Sequence, residues 1–195
     1  MEETNEMTET LTRTLDGVPA PLPGTYTLDV AHTVVGFVVR HLMVSKVRGQ
    51  FNEFAGEIVV GETLADSGVQ ATIQVASINT REAQRDAHLK SGDFFEQETH
   101  PTIEFKSTAV RRAGDGWSVD GDLTIKGTTR QVALDLEFNG ATSDPWGGKR
   151  IGFSARTEID RDDFGINFNA AVEGGGLVVS KRITIELEAE AVLKA

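Results

Sequence analysis

Four histidines, His32, His41, His88 and His100, are the side chains of this sequence best suited to acid–base chemistry or metal ligation. No HExxH pair stands on a helix face and no two of them share a strand face, so a metal site would require convergence of distant segments. His100 precedes Pro101 and reads as a turn residue. His41 continues the alternating set Val35, Phe37, Val39, which would set it near one mouth of a strand-built interior, within reach of a ligand head or a haem. A core histidine satisfied by a hydrogen bond is the other reading. His88 lies in a helical stretch and would face either a lid or solvent. The run Asp160-Arg161-Asp162-Asp163-Phe164-Gly165 clusters three carboxylates, yet it lacks the Asp-x-Asp-x-Asp-Gly spacing and later glutamate of an EF-hand, so it reads as a charged turn. Gly174-Gly175-Gly176 is followed by no Lys-Ser/Thr and by no helix, so it reads as a flexible strand connection rather than a phosphate cradle. Ser45, Ser77, Ser91 and Ser107 sit in no Gly-x-Ser-x-Gly elbow. The expected catalytic and metal sets are empty, and the chain reads as a non-enzyme.

Composition narrows the partners. The net charge of -11 repels phosphate backbones and anionic lipid surfaces, so nucleic acid is not expected. Cysteine is absent, which removes disulfides, thiolate metal sites and thiol nucleophiles, and fits a reducing compartment. The start Met-Glu-Glu-Thr-Asn-Glu lacks the basic and apolar regions of a secretory signal. The longest apolar cluster, Val34 to Val39, is interrupted by Gly36 and is far short of the ~20 residues that span a bilayer. No transmembrane segment is expected, and a cytoplasmic location follows.

The elements that must position any site are strands. Residues 1–23 are rich in Thr, Glu and Pro and lack periodic apolar positions, so they are expected to be a flexible tail, with the domain at 24–195. From Thr25 onward apolar residues recur at every second position, the period of a strand with one buried face. Ile103 and Phe105 alternate with Glu104 and Lys106, and the same pattern recurs at Val132 to Phe138, Ile151 to Ala155 and Ile183 to Ala189. Trp117 to Ile125, followed by the turn signal Lys126-Gly127, leads into the next strand as a hairpin. Adding Tyr26 to Leu28, Val34 to Met43, Val47 to Val60 and Val69 to Ile78 predicts about eight strands, an all-β antiparallel sheet that loses its edges by closing into a barrel. Arg81 to Lys90 lacks Gly and Pro and predicts one or two short helices, capped at Asn79 or Thr80, that could lid one barrel end.

Large side chains fill an eight-stranded interior, whereas small ones leave a cavity. Phe37, Phe51, Phe105, Phe138 and Phe153 are large, while Val35, Val39, Ala71, Val75, Ser77, Gly121, Ala155, Thr157 and Ala189 fall on the same inner side. Periodicity leaves both a packed and a hollow barrel open.

Several runs, taken in order, resemble the YceI-like family. They are Tyr26-Thr27-Leu28-Asp29, His32 to Phe37, Arg40-His41-Leu42, Val47 to Phe51, Phe54-Ala55-Gly56, Ser77 to Thr80, Arg85 to Phe95, His100 to Ser107, Gly121 to Thr129 and Arg161 to Gly165. The resemblance covers about residues 24–192 and implies an extended lipocalin-like barrel that binds a polyisoprenoid chain or an isoprenoid quinone, as a homodimer, with no other cofactor. Combined with the alternation, it places the ligand against Val35, Phe37, Val39, Phe51, Ile73, Val75, Ile103, Phe105, Leu123, Leu134, Phe153, Ala155 and Ile185. His41 would stand near the ligand's polar end, by the helix containing His88, and His88 and Phe94 complete the expected ligand-binding set. Two other readings stay open: a haem or metal barrel that uses His41 or His88, and a ligand-free structural or stress-related dimer.

Overall fold

The computed structural model describes residues 11–42, 44–170 and 178–194. The chain makes strands β1 (Thr12–Leu15), β2 (Val18–Pro21), β3 (Gly24–Leu28), β4 (Val34–His41), β5 (Ser45–Phe51), β6 (Phe54–Val60), β7 (Gly68–Gln74) and β8 (Ile78–Asn79). Helix α1 (Ala83–Lys90) follows, then β9 (Thr102–Ala113), β10 (Gly116–Ile125), β11 (Thr128–Ser143), β12 (Lys149–Asp160) and β13 (Val179–Leu193). Antiparallel ladders run β3-β6-β7-β9-β10-β11-β12-β13 and return from β13 to β3, an eight-stranded closed barrel. Closure leaves no unpaired edge around the ring.

Two stretches expected as single long strands are broken and two expected separately share a barrel position, which is how eight barrel positions come from more strands. β4 pairs with the first half of β13 while β3 pairs with its end, so the two share one barrel position across the bend at residues 29–33. The stretch Val47 to Val60 bends at Asn52 and Glu53 into β5 and β6. The stretch Val69 to Ile78 leaves the sheet at Val75, where a 3-10 turn, Val75–Ser77, precedes β8. Ser77 therefore does not face the lumen; its hydroxyl donates to the Gln74 carbonyl at 2.7 Å and accepts from the Glu53 amide at 2.9 Å.

The alternation read from the sequence appears as burial. Along β10, Trp117, Val119, Gly121, Leu123 and Ile125 are buried and the residues between them are not. The β10–β11 hairpin turns at Lys126 (φ 49°) and Gly127 (φ 71°), the doubly left-handed geometry that matches strand twist. One α-helix forms among the described residues, and its cap differs from expectation. The Glu82 carboxylate accepts from the amides of Gln84 (3.0 Å) and Arg85 (2.5 Å). Asn79 is still in β8, and Thr80 is turned inward, where its hydroxyl meets Asp86 at 2.5 Å and Arg85 at 2.7 Å. The chain reaches the helix only after Arg81, in the left-handed region at φ 65°.

The expected tail also differs. β1 and β2 pair as a hairpin within residues 1–23, and Val18 and Ala20 are buried against Trp117. Arg13 bonds the Gly61 carbonyl and pairs with Glu62 at 3.0 Å, while Arg112 donates to the Asp16 carbonyl at 2.7 Å. Residues 1–10 and the Gly174–Gly176 run lie outside the described residues. The hairpin covers the barrel end where β10 starts and β13 finishes; α1 and the 3-10 turn Arg161–Phe164 stand at the other end.

Candidate ligand cavity

A cavity of about 320 Å³ lies inside the barrel, within the range of small-molecule sites. The inward positions of every barrel strand reach it, and its wall is almost wholly aliphatic and aromatic. Of the residues expected from the sequence, Val35, Phe37, Val39, Phe51, Ile73, Phe94, Ile103, Phe105, Leu123, Leu134, Phe153, Ala155 and Ile185 line it. Ladder register explains the convergence: Phe37 stands opposite Ile185 and Val35 opposite Leu187, while Ala155 is paired with both Leu187 and Leu136. Side chains with the same parity on paired strands share a face.

The interior is neither packed solid nor uniformly lined. Phe105 lies over Gly121, where an added Cβ would come within 2.4 Å of its ring, so this pair is filled. Phe37 and Phe51 pack at a tilt with centroids 5.9 Å apart, and Phe51 meets Phe95 edge-on at 6.0 Å. Ala71, Ala155 and Ala189 also face the lumen, and there the volume that larger residues would take is open.

Val75, expected in the wall, and the two histidines, His41 expected near a barrel mouth and His88 on the helix, are not among the lining residues. Val75 is 1% exposed but packs into the core from its 3-10 turn, because the strand has ended before it. His41 closes β4 opposite Ser45 and Val179, at the end of the lumen rather than in its wall. His88 stands on the outer side of α1: its Nε2 lies 2.8 Å from Asp93 Oδ2 and its ring packs edge-on against Phe94 and Phe168. Its neighbour Leu89 faces the cavity instead, as the helical turn requires.

Other wall residues were not anticipated. Leu15, Ala20 and Pro21 come from the hairpin that composition had assigned to a tail, and Phe164 and Ile166 come from the turn after β12. Arg161, read only as part of a charged turn, is 5% exposed and reaches the cavity. Its Nε donates to the Ser180 carbonyl at 3.1 Å and its Nη1 to the Ile166 and Phe168 carbonyls at 2.6 and 2.8 Å. Burial pushes its pKa below the ordinary arginine value. One signal was available: an arginine directly before a carboxylate pair and a Phe-Gly turn, at the end of a barrel strand.

A charged cluster sits on the outer surface. Arg150 of β12 joins Asp29 (2.6 Å), Glu190 (2.5 Å) and Asp144 (2.8 Å), tying the bend after β3 to β13 and to the β11–β12 turn. Arg150, and then His32, hold the Asp29 carboxyl down at about 2. Asp29, His32 and Glu190 together have the composition of a cation site. The oxygens a cation would need, however, are engaged by the guanidinium, which is chemistry for a clasp.

No helix among the described residues is long and apolar enough to cross a membrane. The model of the YceI-like domain matches residues 26–191. A UPF0312 protein of Staphylococcus aureus (strain MSSA476) is 42% identical over 170 residues, covering 85% of this chain and 95% of that protein. Among solved structures, the Campylobacter jejuni YCEI protein is 30% identical with a TM-score of 0.68, over 80% of this chain and 90% of the other. A polyisoprenoid binding domain from Saccharophagus degradans shares the fold at 17% identity and a TM-score of 0.65, over 87% of this chain and 98% of the other. The closed eight-stranded barrel, its apolar lumen and the match over residues 26–191 agree: this chain belongs to the YceI-like family.

Proposed function

We propose that the protein binds, and stores or carries, a long apolar isoprenoid ligand, a polyisoprenoid or an isoprenoid quinone, inside the barrel. The observation that carries this reading is the cavity of about 320 Å³ walled by apolar side chains from every barrel strand. A dry lumen of that kind returns about 0.8 kcal/mol for each CH₂ it takes from water, and it suits a chain rather than a polar metabolite. The polyisoprenoid binding domain of Saccharophagus degradans supports the reading through its shared fold. No nucleophile–base pair faces the lumen among the described residues, so binding, not catalysis, is the proposed activity. The haem or metal reading draws no support from the lumen, since neither His41 nor His88 is among its lining residues. A homodimer and a cytoplasmic location complete the proposal, to be tested by sedimentation and cell fractionation.

Organic extraction of natively purified protein followed by mass spectrometry is the direct experiment. An isoprenoid recovered in near-stoichiometric amount is the expected result. A lipid-free protein that also fails to take up polyprenols or quinones would overturn it.

A further inference from the structure

The wall of the lumen has a polar exception at the end near α1. Two hydroxyls also touch the cavity, but both are satisfied locally. Thr33 donates to the Glu190 carbonyl and accepts its amide at 3.1 and 3.0 Å, and Ser67 donates to the Thr63 carbonyl and accepts the Gly61 amide, both at 2.9 Å. Arg161 is different. A guanidinium has five N–H donors. Nε and Nη1 use three of them on Ser180, Ile166 and Phe168, and Nη2 makes one long contact of 3.5 Å to the Val179 carbonyl. A donor on Nη2 remains.

The guanidinium, moreover, is hydrogen-bonded only to carbonyls, and Asp162 and Asp160 act on its charge through space without contacting it. No carboxylate among the described residues forms an ion pair with Arg161, although two stand beside it in the chain. Asp162 is turned to Lys181 at 2.5 Å, and Asp160 accepts the Asp162 amide at 2.9 Å. A buried cation without a directly bonded anion is costly, and arginine keeps its proton even when burial disfavours it. The neighbours Phe164 and Ile166, 2% and 5% exposed, keep this end of the lumen dry. A low-dielectric pocket of that sort strengthens any charge-assisted hydrogen bond made inside it.

We propose that Arg161 is the head-group anchor of the lumen, receiving the oxyanion of an amphiphile whose apolar chain lies along the barrel toward the β1–β2 hairpin. The inference rests on the binding function proposed above and sharpens it in two ways. It orients the ligand, and it selects a carboxylate- or phosphate-headed chain over a neutral head, a quinone included. It also assigns to a residue in a charged turn a role that the histidines do not fill.

The test uses the full-length, delipidated protein and chains of matched length: palmitate, hexadecyl phosphate, hexadecanol and hexadecane. Charge-assisted hydrogen bonds of ordinary strength predict that at least one of the two oxyanions binds about ten- to a hundredfold more tightly than hexadecanol. Which of the two leads distinguishes a carboxylate from a phosphate ligand. With ¹³C-labelled palmitate, filtered NOEs should join the methylene next to the carboxylate to Phe164 and Ile166, and the terminal methyl to Leu15 or Trp117. Arg161→Gln, checked for its fold by circular dichroism, should bring the oxyanions down to the affinity of hexadecanol. Because Arg161 also ties down backbone carbonyls, the wild-type measurements decide if that variant fails to fold. Equal affinities for oxyanion and alcohol, or NOEs in the reverse sense, overturn the anchor and leave the lumen reading standing. Binding of none of the chains overturns the anchor, and uptake of polyprenols or quinones by the same protein then decides the lumen reading.

Discussion

Replacing Ala155 by tryptophan separates a ligand-holding lumen from a merely stable barrel. Ala155 is paired with Leu136 and Leu187 and faces the cavity, so an indole built there enters the lumen and leaves surface charge unchanged. A tryptophan side chain covers on the order of 150 to 250 Å². In a cavity of about 320 Å³ it competes directly with a bound chain. Excluding one isoprene unit of about five carbons removes about 4 kcal/mol of burial, close to a thousandfold in Kd. In a packed interior the same substitution would instead overpack the core, at about 1 to 3 kcal/mol or more. The open volume therefore predicts a variant that keeps its melting temperature and loses its lipid. Thermal unfolding and mass spectrometry of retained lipid, measured on the same preparation, check it. A strongly destabilised variant, or a stable one that still carries a full complement of lipid, would refute the reasoning.

Other substitutions probe the frame around the cavity. Deleting residues 1–21 uncovers Trp117 and removes the buried Val18, a loss of about 2 to 3 kcal/mol. For a domain of this size that lowers the melting temperature by roughly 4 to 12 °C, and an unchanged value would mean the hairpin contributes nothing. Gly121→Val places a side chain where the Phe105 ring already lies within 2.4 Å of an added Cβ, so stability should fall by about 1 to 3 kcal/mol in urea titrations. Asp29→Asn tests the clasp through pH. The folded carboxyl is held at about 2 against 3.8 when free, so its stabilisation is complete above 3.8 and lost as pH falls through about 2. The variant should be less stable than wild type near neutrality, with the gap shrinking below pH 3.8 and closing only below about pH 2; a gap that persists there would assign the effect to packing.

The period-two pattern was enough to place strands and to say which side chains face inward, because alternation is a local property of an extended chain. It succeeded at Phe37, Ile103, Leu123 and Ile185, which all line the cavity. It also named the hairpin turn at Lys126 and Gly127, where chirality restricts the choice of residue. Alternation fails where a strand stops, since nothing in the period announces its end. Val75 continues the pattern in sequence, yet the chain has turned out of the sheet before it. His41 shares the parity of Val39 and closes the same strand opposite the lining residue Val179, at the end of the lumen rather than in its wall.

What the sequence by itself determined was the class of fold, the inner face of most strands, the family, and the absence of any compact catalytic motif. Tertiary structure alone decided whether the barrel was hollow, because a lumen depends on which small residues meet across strands far apart in the chain. Ala71, Ala155 and Ala189 are unremarkable one at a time, and they open volume only when closure brings them to the same interior. Closure likewise decided the fate of the N-terminal segment, whose Val18 and Ala20 have no periodic partners until Trp117 is presented to them. It decided Arg161 as well. In sequence this arginine lies between aspartates and reads as solvated, but the turn after β12 points those carboxylates elsewhere and folds the guanidinium into the end of the lumen, where burial gives a single charge its chemical weight.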